Sequence, residues 1–275
     1  MTPVPDSSGG TIPVPSPAPF LPPSVTARLE VLLCDADGNL FPSEEPAFEA
    51  SAHVTNDFLG SLGSDRRYTA DELRRVFTGM NFRTTARALI EELGAPDVDV
   101  EPWVAEERRA VTAHLRATLR PHPPTLAALT RLSGRLPLAA VSSSALGRLS
   151  ACFTATALDE LIPLHRRFSA EDSLPRPTSK PDPAVYVHAC AELGIPAAAG
   201  LAVEDAVAGV QSAVAAGCPT VGNLLFVADD ERNERAAALL AAGALTIVES
   251  WQQLADLVLP ALPGSRAPVA AGVGR

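Results

Sequence analysis

Short apolar runs that alternate with amphipathic stretches organise most of the chain. Residues 29–34 form such a run, with the length and composition of a buried strand. Runs of the same kind follow at residues 136–141, 200–203, 219–221 and 244–248. Helical patterns separate them, at residues 125–132, 184–193 and 206–216. The alternation predicts an α/β fold whose core is a Rossmann-like parallel sheet with helices on both faces.

One long interval carries helical patterns only. Between about residues 44 and 120 we find no strand pattern. The segment Thr69-Ala-Asp-Glu72 has the form of a capping box, which marks the start of a helix. Apolar residues at positions 86, 89, 90 and 93 fall at helical spacing, and residues 100–119 form another long helical candidate. We therefore predict an all-helical insertion over residues 44–120, and an α/β core made of residues 28–43 and 121–262.

Both ends of the chain are rich in proline and small residues. Residues 1–27 contain eight prolines among serine, threonine and glycine, without a periodic apolar face. Because proline removes backbone hydrogen-bond donors, we predict a disordered tail there. The first segment also lacks the positive start and uninterrupted apolar run of a signal peptide. Residues 263–275 are predicted to be a second, flexible tail.

The composition of the 275 residues narrows the class of protein. Hydrophobic residues make up 47% and charged residues 20%, as in ordinary soluble globular proteins. A net charge of −10 argues against a nucleic-acid partner, which would favour a basic surface. The longest apolar stretch, residues 236–248, is shorter than the roughly 20 residues of a membrane span, so we expect no membrane contact. The four cysteines lie far apart, as expected for reduced thiols in a cytoplasmic protein.

Two acidic residues directly follow the first predicted strand. Asp35 and Asp37 are two positions apart, and the turn residue Gly38 comes next. In a parallel sheet, ligands collect at the carboxyl ends of the strands, where both carboxylates would project. Taken alone, this DxDG pattern is equally compatible with an ordinary polar turn.

Three further polar segments accompany later strands and helices. Ser142 and Ser143 come at the end of the second strand, where hydroxyls and backbone amides either hold phosphate oxygens or cap a helix. Lys180 precedes a helix, and a lone lysine is usually a solvated surface residue. Glu204 and Asp205 end another apolar strand, where acids also suit the start of a helix. The parallel topology brings the strand-end residues to one edge of the sheet.

The ordered set of DxDG, strand-end serine, Lys-Pro and Glu-Asp resembles the haloacid dehalogenase superfamily, in its phosphatase and phosphomutase branch. The stretches SKPDPAVY and VEDAVAGVQSAVAAG carry much of the likeness, which extends over roughly residues 29–257. The chain is most similar to the beta-phosphoglucomutase-like group, whose helical cap is inserted after the first motif. Residues 44–120 would then be such a cap.

The resemblance implies a phosphatase that acts on a small phosphorylated metabolite, a sugar or polyol phosphate. Asp35 would attack phosphorus and form an aspartyl-phosphate. Asp37 would protonate the leaving alcohol and then take a proton from the hydrolytic water. Ser142, Ser143 and Lys180 would hold the phosphoryl oxygens.

The resemblance also implies a Mg²⁺ cofactor. Its ligands would be the carboxylates of Asp35 and Asp205 and the backbone carbonyl of Asp37. Glu204 would support this metal site, directly or through water. Mg²⁺ is a hard cation that prefers oxygen ligands and neutralises the charge of a phosphate ester.

Two departures from the mutase pattern favour hydrolysis. The phosphoglucomutases carry a histidine where Ala47 stands and a cap arginine where Phe82 stands, with Arg83 as a neighbouring candidate for substrate binding. A sugar phosphomutase is the alternative function, and a catalytically silent binding protein is a further one, although such relatives usually lose one of the two aspartates. Lys180 is the only lysine in the chain, which excludes a Schiff-base mechanism on a cap lysine. We expect a monomer.

Overall fold

A computed structural model of the chain, which describes residues 19–77, 81–96 and 98–262, contains a six-stranded parallel sheet. The strands are β1 (Val31–Cys34), β2 (Leu138–Ser142), β3 (Arg167–Ser169), β4 (Gly200–Glu204), β5 (Thr220–Asn223) and β6 (Thr246–Val248). Their order across the sheet is β3-β2-β1-β4-β5-β6, and every neighbouring pair is parallel. The predicted Rossmann-like sheet is confirmed. The strand order reverses at β1, and ligands bind such sheets outside the carboxyl ends at this point.

Eleven α-helices lie within the described residues. They are α1 (Pro23–Thr26), α2 (Glu44–Ser61), α3 (Ala70–Phe77), α4 (Phe82–Leu93), α5 (Glu101–Thr118), α6 (Pro123–Ser133), α7 (Leu146–Ala155), α8 (Ala184–Leu193), α9 (Val207–Ala215), α10 (Arg232–Ala241) and α11 (Trp251–Val258). Short 3-10 helices occur at Leu164–Arg166, Ala197–Ala199 and Leu259–Ala261. In this part of the chain, no helix combines the length and apolar character needed to cross a membrane.

Helices cover both faces of the sheet because its central strands are apolar at successive positions. All four residues of β1 are buried. Leu32 and Cys34 belong to a core shared with α6 and α11, whereas Val31 and Leu33 belong to a second core shared with α8. Successive side chains of a strand point to opposite faces. A strand buried on both faces is therefore a continuous apolar run, which is the pattern seen in the sequence.

Five helices lie between β1 and β2, and the first four of them, α2 to α5, form what we call the helical insertion. Its apolar residues pack into a core of their own that includes Phe58, Leu73 and Leu89. The predicted capping box is present: the backbone N–H of Thr69 donates to Glu72 Oε2 at 2.8 Å, and that of Glu72 donates to Thr69 Oγ1 at 3.2 Å. Within its described residues the insertion contains no strand.

β3 is the strand that the apolar pattern misses. Its first residue, Arg167, is charged yet buried, so the segment does not resemble an apolar run. The guanidinium donates from Nε to the carbonyl of Ile162 at 2.8 Å and from Nη2 to Asp159 at 2.7 Å. It also lies over the ring of Phe153, 4.1 Å from the centroid. Because these partners come from the folded structure, strand propensity alone could not have indicated them.

Residues 19–27 do not fit the disordered tail predicted for residues 1–27. Pro23 begins the short helix α1, at a position where a fixed φ and a missing N–H suit a helix start. Leu21 is 5% exposed and packs into the core on the α6 face of the sheet. The backbone N–H of Phe20 donates to Thr246 Oγ1 at 3.3 Å, which ties this segment to β6. The rest of the predicted tail and the C-terminal tail, residues 1–18 and 263–275, lie outside the described residues.

Candidate active site

The carboxyl ends of β1 and β4 bring three carboxylates together. The strands pair with Cys34 opposite Val203, and the N–H of Asp35 donates to the carbonyl of Val203 at 3.0 Å. The next residues along the two strands are therefore Asp35 and Glu204, with Asp205 directly after. Carboxylate oxygens of these three residues lie within 4.8 Å of one another, and all three residues are buried. We call this group the carboxylate cluster.

Lys180 supplies a positive charge to the carboxylate cluster. Its Nζ donates to Asp35 Oδ1 at 2.5 Å, to Glu204 Oε1 at 2.7 Å and to the carbonyl of Val141 at 2.7 Å. The side chain is 6% exposed, so the alternative of a solvated surface lysine is wrong. Burial alone would lower the pKa of Lys180, but the two carboxylates outweigh burial and raise it. Lys180 is therefore protonated at neutral pH.

The carboxylates are crowded enough to resist ionisation. Burial raises the pKa of Asp35 to about 8, although Lys180 opposes the shift, and the charge of Glu204 adds to it. Burial, followed by the charge of Asp35, also raises the pKa of Asp205. When all groups are ionised, three carboxylates against one ammonium leave an excess of two negative charges. A divalent cation would neutralise that excess and favour the ionised carboxylates.

The donor set of the cluster fits Mg²⁺. Asp35, Glu204 and Asp205 offer oxygen ligands, which hard divalent cations prefer to nitrogen and sulfur. The turn after Asp37 passes directly against Asp205, since a Cβ on Gly38 would lie 2.4 Å from Asp205 Oδ2. Gly38 also has a φ of 74°, so both the close approach and the left-handed backbone require glycine. Asp35, Glu204 and Asp205 are thus gathered around one small space beside this turn.

Two neighbouring helices hold Glu204 in place. The hydroxyl of Tyr186, on α8, donates to Glu204 Oε1, the same oxygen that accepts from Lys180. Gly209, on α9, leaves space for the other oxygen, because a Cβ there would lie 1.8 Å from Glu204 Oε2. Neither residue was singled out from the sequence. A tyrosine and a glycine within apolar helical patterns have the appearance of packing residues.

Asn39 ties the turn after β1 to its neighbouring strands. Its Nδ2 donates to the carbonyl of Asp35 at 3.0 Å and to the carbonyl of Val203 at 2.8 Å. Its Oδ1 accepts from Asn223 Nδ2 at 2.8 Å, and its own carbonyl accepts from Trp251 Nε1 at 3.0 Å. Asn39 is fully buried. This network fixes the backbone on which Asp35 and the following turn are carried.

The carboxylate of Asp37 lies apart from Lys180 in its own set of donors. Ser43 Oγ donates to Oδ1 at 2.6 Å, Ser144 Oγ donates to Oδ2 at 2.7 Å, and Arg148 Nη2 donates to Oδ1 at 2.9 Å. Burial alone would raise the pKa of Asp37, but Arg148 and the two hydroxyls hold it below its usual value. Sequence reasoning missed these three donors, since nothing in their spacing indicates contact with Asp37.

The remaining predicted residues have varied surroundings. Ser142 Oγ accepts from the N–H of Ser144 at 3.0 Å, and Ser143 Oγ accepts from the N–H of Lys180 at 3.1 Å. Both serines therefore lie at the edge of the sheet beside the cluster. Arg83, by contrast, donates from Nε and Nη2 to the two carboxylate oxygens of Glu101 at 2.6 and 2.8 Å, and both side chains are exposed. The described contacts do not bring Arg83 to the cluster.

The parallel sheet with this carboxylate–lysine site defines a class of protein. The family model of haloacid dehalogenase-like hydrolases matches residues 29–217, which is more than half of the chain. The chain belongs to the haloacid dehalogenase-like hydrolase family. The resemblance carried by the motifs is therefore confirmed.

Comparison with individual proteins shows which members of the family the chain resembles. CbbY from Rhodobacter capsulatus is 28% identical over 201 residues, which cover 70% of this chain and 85% of CbbY. A candidate beta-phosphoglucomutase from Thermotoga maritima has a TM-score of 0.62 at 24% identity, over 84% of this chain and 98% of that one. A CbbY variant from Rhodobacter sphaeroides, in complex with xylulose 1,5-bisphosphate, has a TM-score of 0.58 at 23% identity, over 82% and 96%. The fold thus matches beta-phosphoglucomutase-like proteins, as predicted.

Proposed function

We propose that the protein is a Mg²⁺-dependent phosphatase that hydrolyses a small phosphorylated metabolite, a sugar or polyol phosphate. The observation that carries the proposal is the pair of carboxylates on one turn. Asp35 contacts Lys180 within the carboxylate cluster, while Asp37 is held separately by hydroxyls and Arg148. The complex of a CbbY variant with xylulose 1,5-bisphosphate supports a phosphorylated sugar as substrate.

The ion would be held by the carboxylates of Asp35 and Asp205 and the backbone carbonyl of Asp37. When bound, it supplies positive charge that neutralises the phosphoryl oxygens and favours the ionised form of Asp35. Lys180 adds a second positive charge next to the attacking carboxylate and holds Glu204 in place. Ser142 would donate to a phosphoryl oxygen from the end of β2. These charges and donors are positioned before the reaction begins, so little reorganisation is needed.

Asp35 would attack phosphorus in line, forming a bond from a carboxylate oxygen to phosphorus as the ester bond to the alcohol breaks. Asp37, in its protonated form when the substrate is bound, gives that proton to the departing oxygen, which leaves as the alcohol. A water then attacks the aspartyl-phosphate while Asp37 takes its proton. The bond between Asp35 and phosphorus breaks, inorganic phosphate leaves, and both carboxyl groups return to their initial states.

The positions that distinguish a mutase support hydrolysis. Phe82 is 7% exposed and packs within the core of the helical insertion, 6.3 Å from the ring of Phe58. It presents no cation to a bound sugar phosphate. Ala47 carries no titratable group and packs against the core of the sheet. Neither position therefore carries a group that restrains water. Water activated by Asp37 would then attack the aspartyl-phosphate before a bound sugar phosphate could do so.

The experiment supplies beta-glucose 1-phosphate with a trace of the 1,6-bisphosphate and follows free phosphate and glucose 6-phosphate together. We expect free phosphate to form faster, because the intermediate is hydrolysed before the sugar can turn around. A parallel screen of sugar and polyol phosphates, with Mg²⁺ or with chelator, identifies the substrate and the metal requirement. Glucose 6-phosphate formed much faster than free phosphate would establish a mutase instead.

A further inference from the structure

The two oxygens of Asp37 are occupied unequally. Oδ1 accepts from Arg148 Nη2 at 2.9 Å and from Ser43 Oγ at 2.6 Å, whereas the one donor to Oδ2 among the described residues is Ser144 Oγ, at 2.7 Å. An ionised carboxylate offers about four lone-pair sites, two on each oxygen. Two protein donors therefore saturate Oδ1. The site that these three donors leave available lies on Oδ2.

We propose that Arg148 is a positioning residue that anchors Oδ1 of Asp37 and so leaves Oδ2 as the oxygen that exchanges the proton. The proposal rests on the proposed phosphatase function, in which Asp37 is acid and base. Ser144 is a suitable partner for an oxygen that gains and loses a proton. Its hydroxyl rotates and can donate to an ionised Oδ2 or accept from a protonated one. A guanidinium can only donate, so Arg148 keeps Oδ1 as an acceptor throughout the cycle.

Arg148 lies between the sheet and the helical insertion. It is on α7, directly after the loop that carries Ser144, and α7 packs against α5 of the insertion. Burial opposes the charged form of Arg148, but the charge of Asp37 and, from α5, that of Glu107 raise the pKa of its guanidinium. Carboxylates of both the sheet edge and the insertion therefore act on the charge of Arg148. Its side chain is 26% exposed.

One atom of Arg148 argues against a purely structural role. Its Nε is buried and makes no hydrogen bond with any residue that the structure describes. A buried donor without a partner is destabilising, so packing alone does not account for an arginine at this position. The chain accepts this cost at a position whose other nitrogen contacts Asp37.

The proposal makes the loss of activity depend on the leaving group. An alkyl phosphate releases a strongly basic alkoxide and needs a well-placed proton, whereas 4-nitrophenyl phosphate releases a stable phenolate that needs little help. In Arg148→Ala, turnover of an alkyl sugar phosphate should fall roughly a hundredfold, the size of a general-acid contribution that is misplaced. Turnover of 4-nitrophenyl phosphate should fall only a few-fold. KM should change little, and added guanidinium should restore part of the lost turnover.

Arg131→Ala is the matched control, since Arg131 pairs with Asp256 on the surface at 3.0 Å and is remote from Asp37 in these contacts. It should leave both substrates unaffected. Arg148→Lys keeps the charge and should lie between wild type and Arg148→Ala on the alkyl substrate. If Arg148→Ala fails to fold by its melting transition, Arg148→Lys carries the same comparison. Equal losses on both substrates, in whichever folded variant is measured, overturn the positioning role.

Failure of the proposed function would look different. A wild-type protein that hydrolyses neither substrate with Mg²⁺ would overturn the phosphatase, and the role of Arg148 with it. An active wild type combined with equal losses in the Arg148 variants would overturn the positioning role alone. A selective loss on the alkyl substrate, restored by guanidinium but not by urea, would support both.

Discussion

The carboxyl edge of the sheet and the helical insertion hold their charged side chains in opposite ways. At the sheet edge, Lys180 and Glu204 are 6% and 1% exposed, and each is bound by several fixed partners. On the insertion, Arg66 pairs with Glu92 at 2.5 Å with side chains 41% and 55% exposed. The first arrangement removes charges from water, whereas the second leaves them in it.

The charged side chains of the two regions contribute differently to stability. Exposed pairs contribute about 0–1 kcal/mol each, so the charges of the insertion mainly keep its surface soluble. Burying several like charges costs stability unless every group has partners, and even then hydrophobic residues would often be more stable. The sheet edge therefore has a destabilising arrangement, which the proposed catalytic role would explain. Substitutions at the edge should change activity far more than stability, and substitutions on the insertion should change little of either.

The largest effect is expected for Asp35→Asn. The amide keeps the shape of the carboxyl group but cannot attack phosphorus, so turnover should fall roughly a thousandfold or more. Because burial raises the pKa of Asp35, a neutral side chain is readily tolerated there and the melting temperature should stay within a few degrees. Phosphate release and thermal unfolding measure the two effects. Substantial remaining turnover would contradict the assignment of Asp35 as the nucleophile.

Gly209→Ala should damage the edge through Glu204. The added Cβ would lie 1.8 Å from Glu204 Oε2, so the carboxylate must move away from Lys180 or the helix must shift. We expect a loss of roughly 1–3 kcal/mol in the free energy of unfolding and a clear drop in turnover. Gly147→Ala is the control, since a Cβ there meets no atom within 4 Å. Equal behaviour of the two variants would contradict this account of Glu204.

Mg²⁺ should stabilise the protein in a pH-dependent way. Burial raises the folded-state pKa of Asp35 to about 8 and also raises that of Asp205, so each contributes stability at low pH that is lost as the pH rises towards those values. Metal-free protein should therefore become less stable between pH 4 and pH 8. Mg²⁺ should restore a few degrees of melting temperature at pH 8 and almost none at pH 4. In Asp205→Asn, the effect of Mg²⁺ on the melting temperature should be the same at pH 4 and pH 8. A Mg²⁺ effect on the wild-type melting temperature that does not depend on pH would contradict this prediction.

The smallest effect is expected for Arg83→Ala on the helical insertion. The variant removes an exposed pair with Glu101, so the free energy of unfolding should change very little. Turnover of a generic aryl phosphate should be unchanged. A large rise in KM for a sugar phosphate, without a change for the aryl phosphate, would show that Arg83 leaves Glu101 to bind substrate. That result would support Arg83 as a substrate-binding residue. It would also weaken the contrast between the sheet edge and the helical insertion.

The sequence predicted the sheet edge well because its chemistry is local. Asp35 and Glu204 each follow a continuous apolar run, and runs of this kind end where a parallel sheet binds its ligands. Both the acidic character of these side chains and their position at the ends of strands could therefore be predicted from the sequence. The register that puts Asp35 beside Glu204 follows from the pairing of β1 with β4, which the structure shows.

The remaining features depend on contacts between distant segments. Arg148 is 111 positions from Asp37, and no pattern connects the two. Tyr186 belongs to an apolar helix, where its hydroxyl contact with Glu204 leaves no trace in the periodicity. Leu21 lies in a proline-rich segment whose composition predicts disorder, yet its side chain packs into the core and the N–H of Phe20 bonds to Thr246. Composition reports averages, whereas docking depends on individual residues.

Lys180 also makes the site unusually easy to observe. It is the only lysine in the chain, so lysine labelled with nitrogen-15 would give one side-chain ammonium signal by nuclear magnetic resonance. That signal would arise between Asp35 and Glu204, and it needs no assignment against other lysines. Each ligand, cation or phosphate analogue that enters the cluster would change its chemical shift. The occupancy of the site can therefore be followed through a single atom of the unaltered protein.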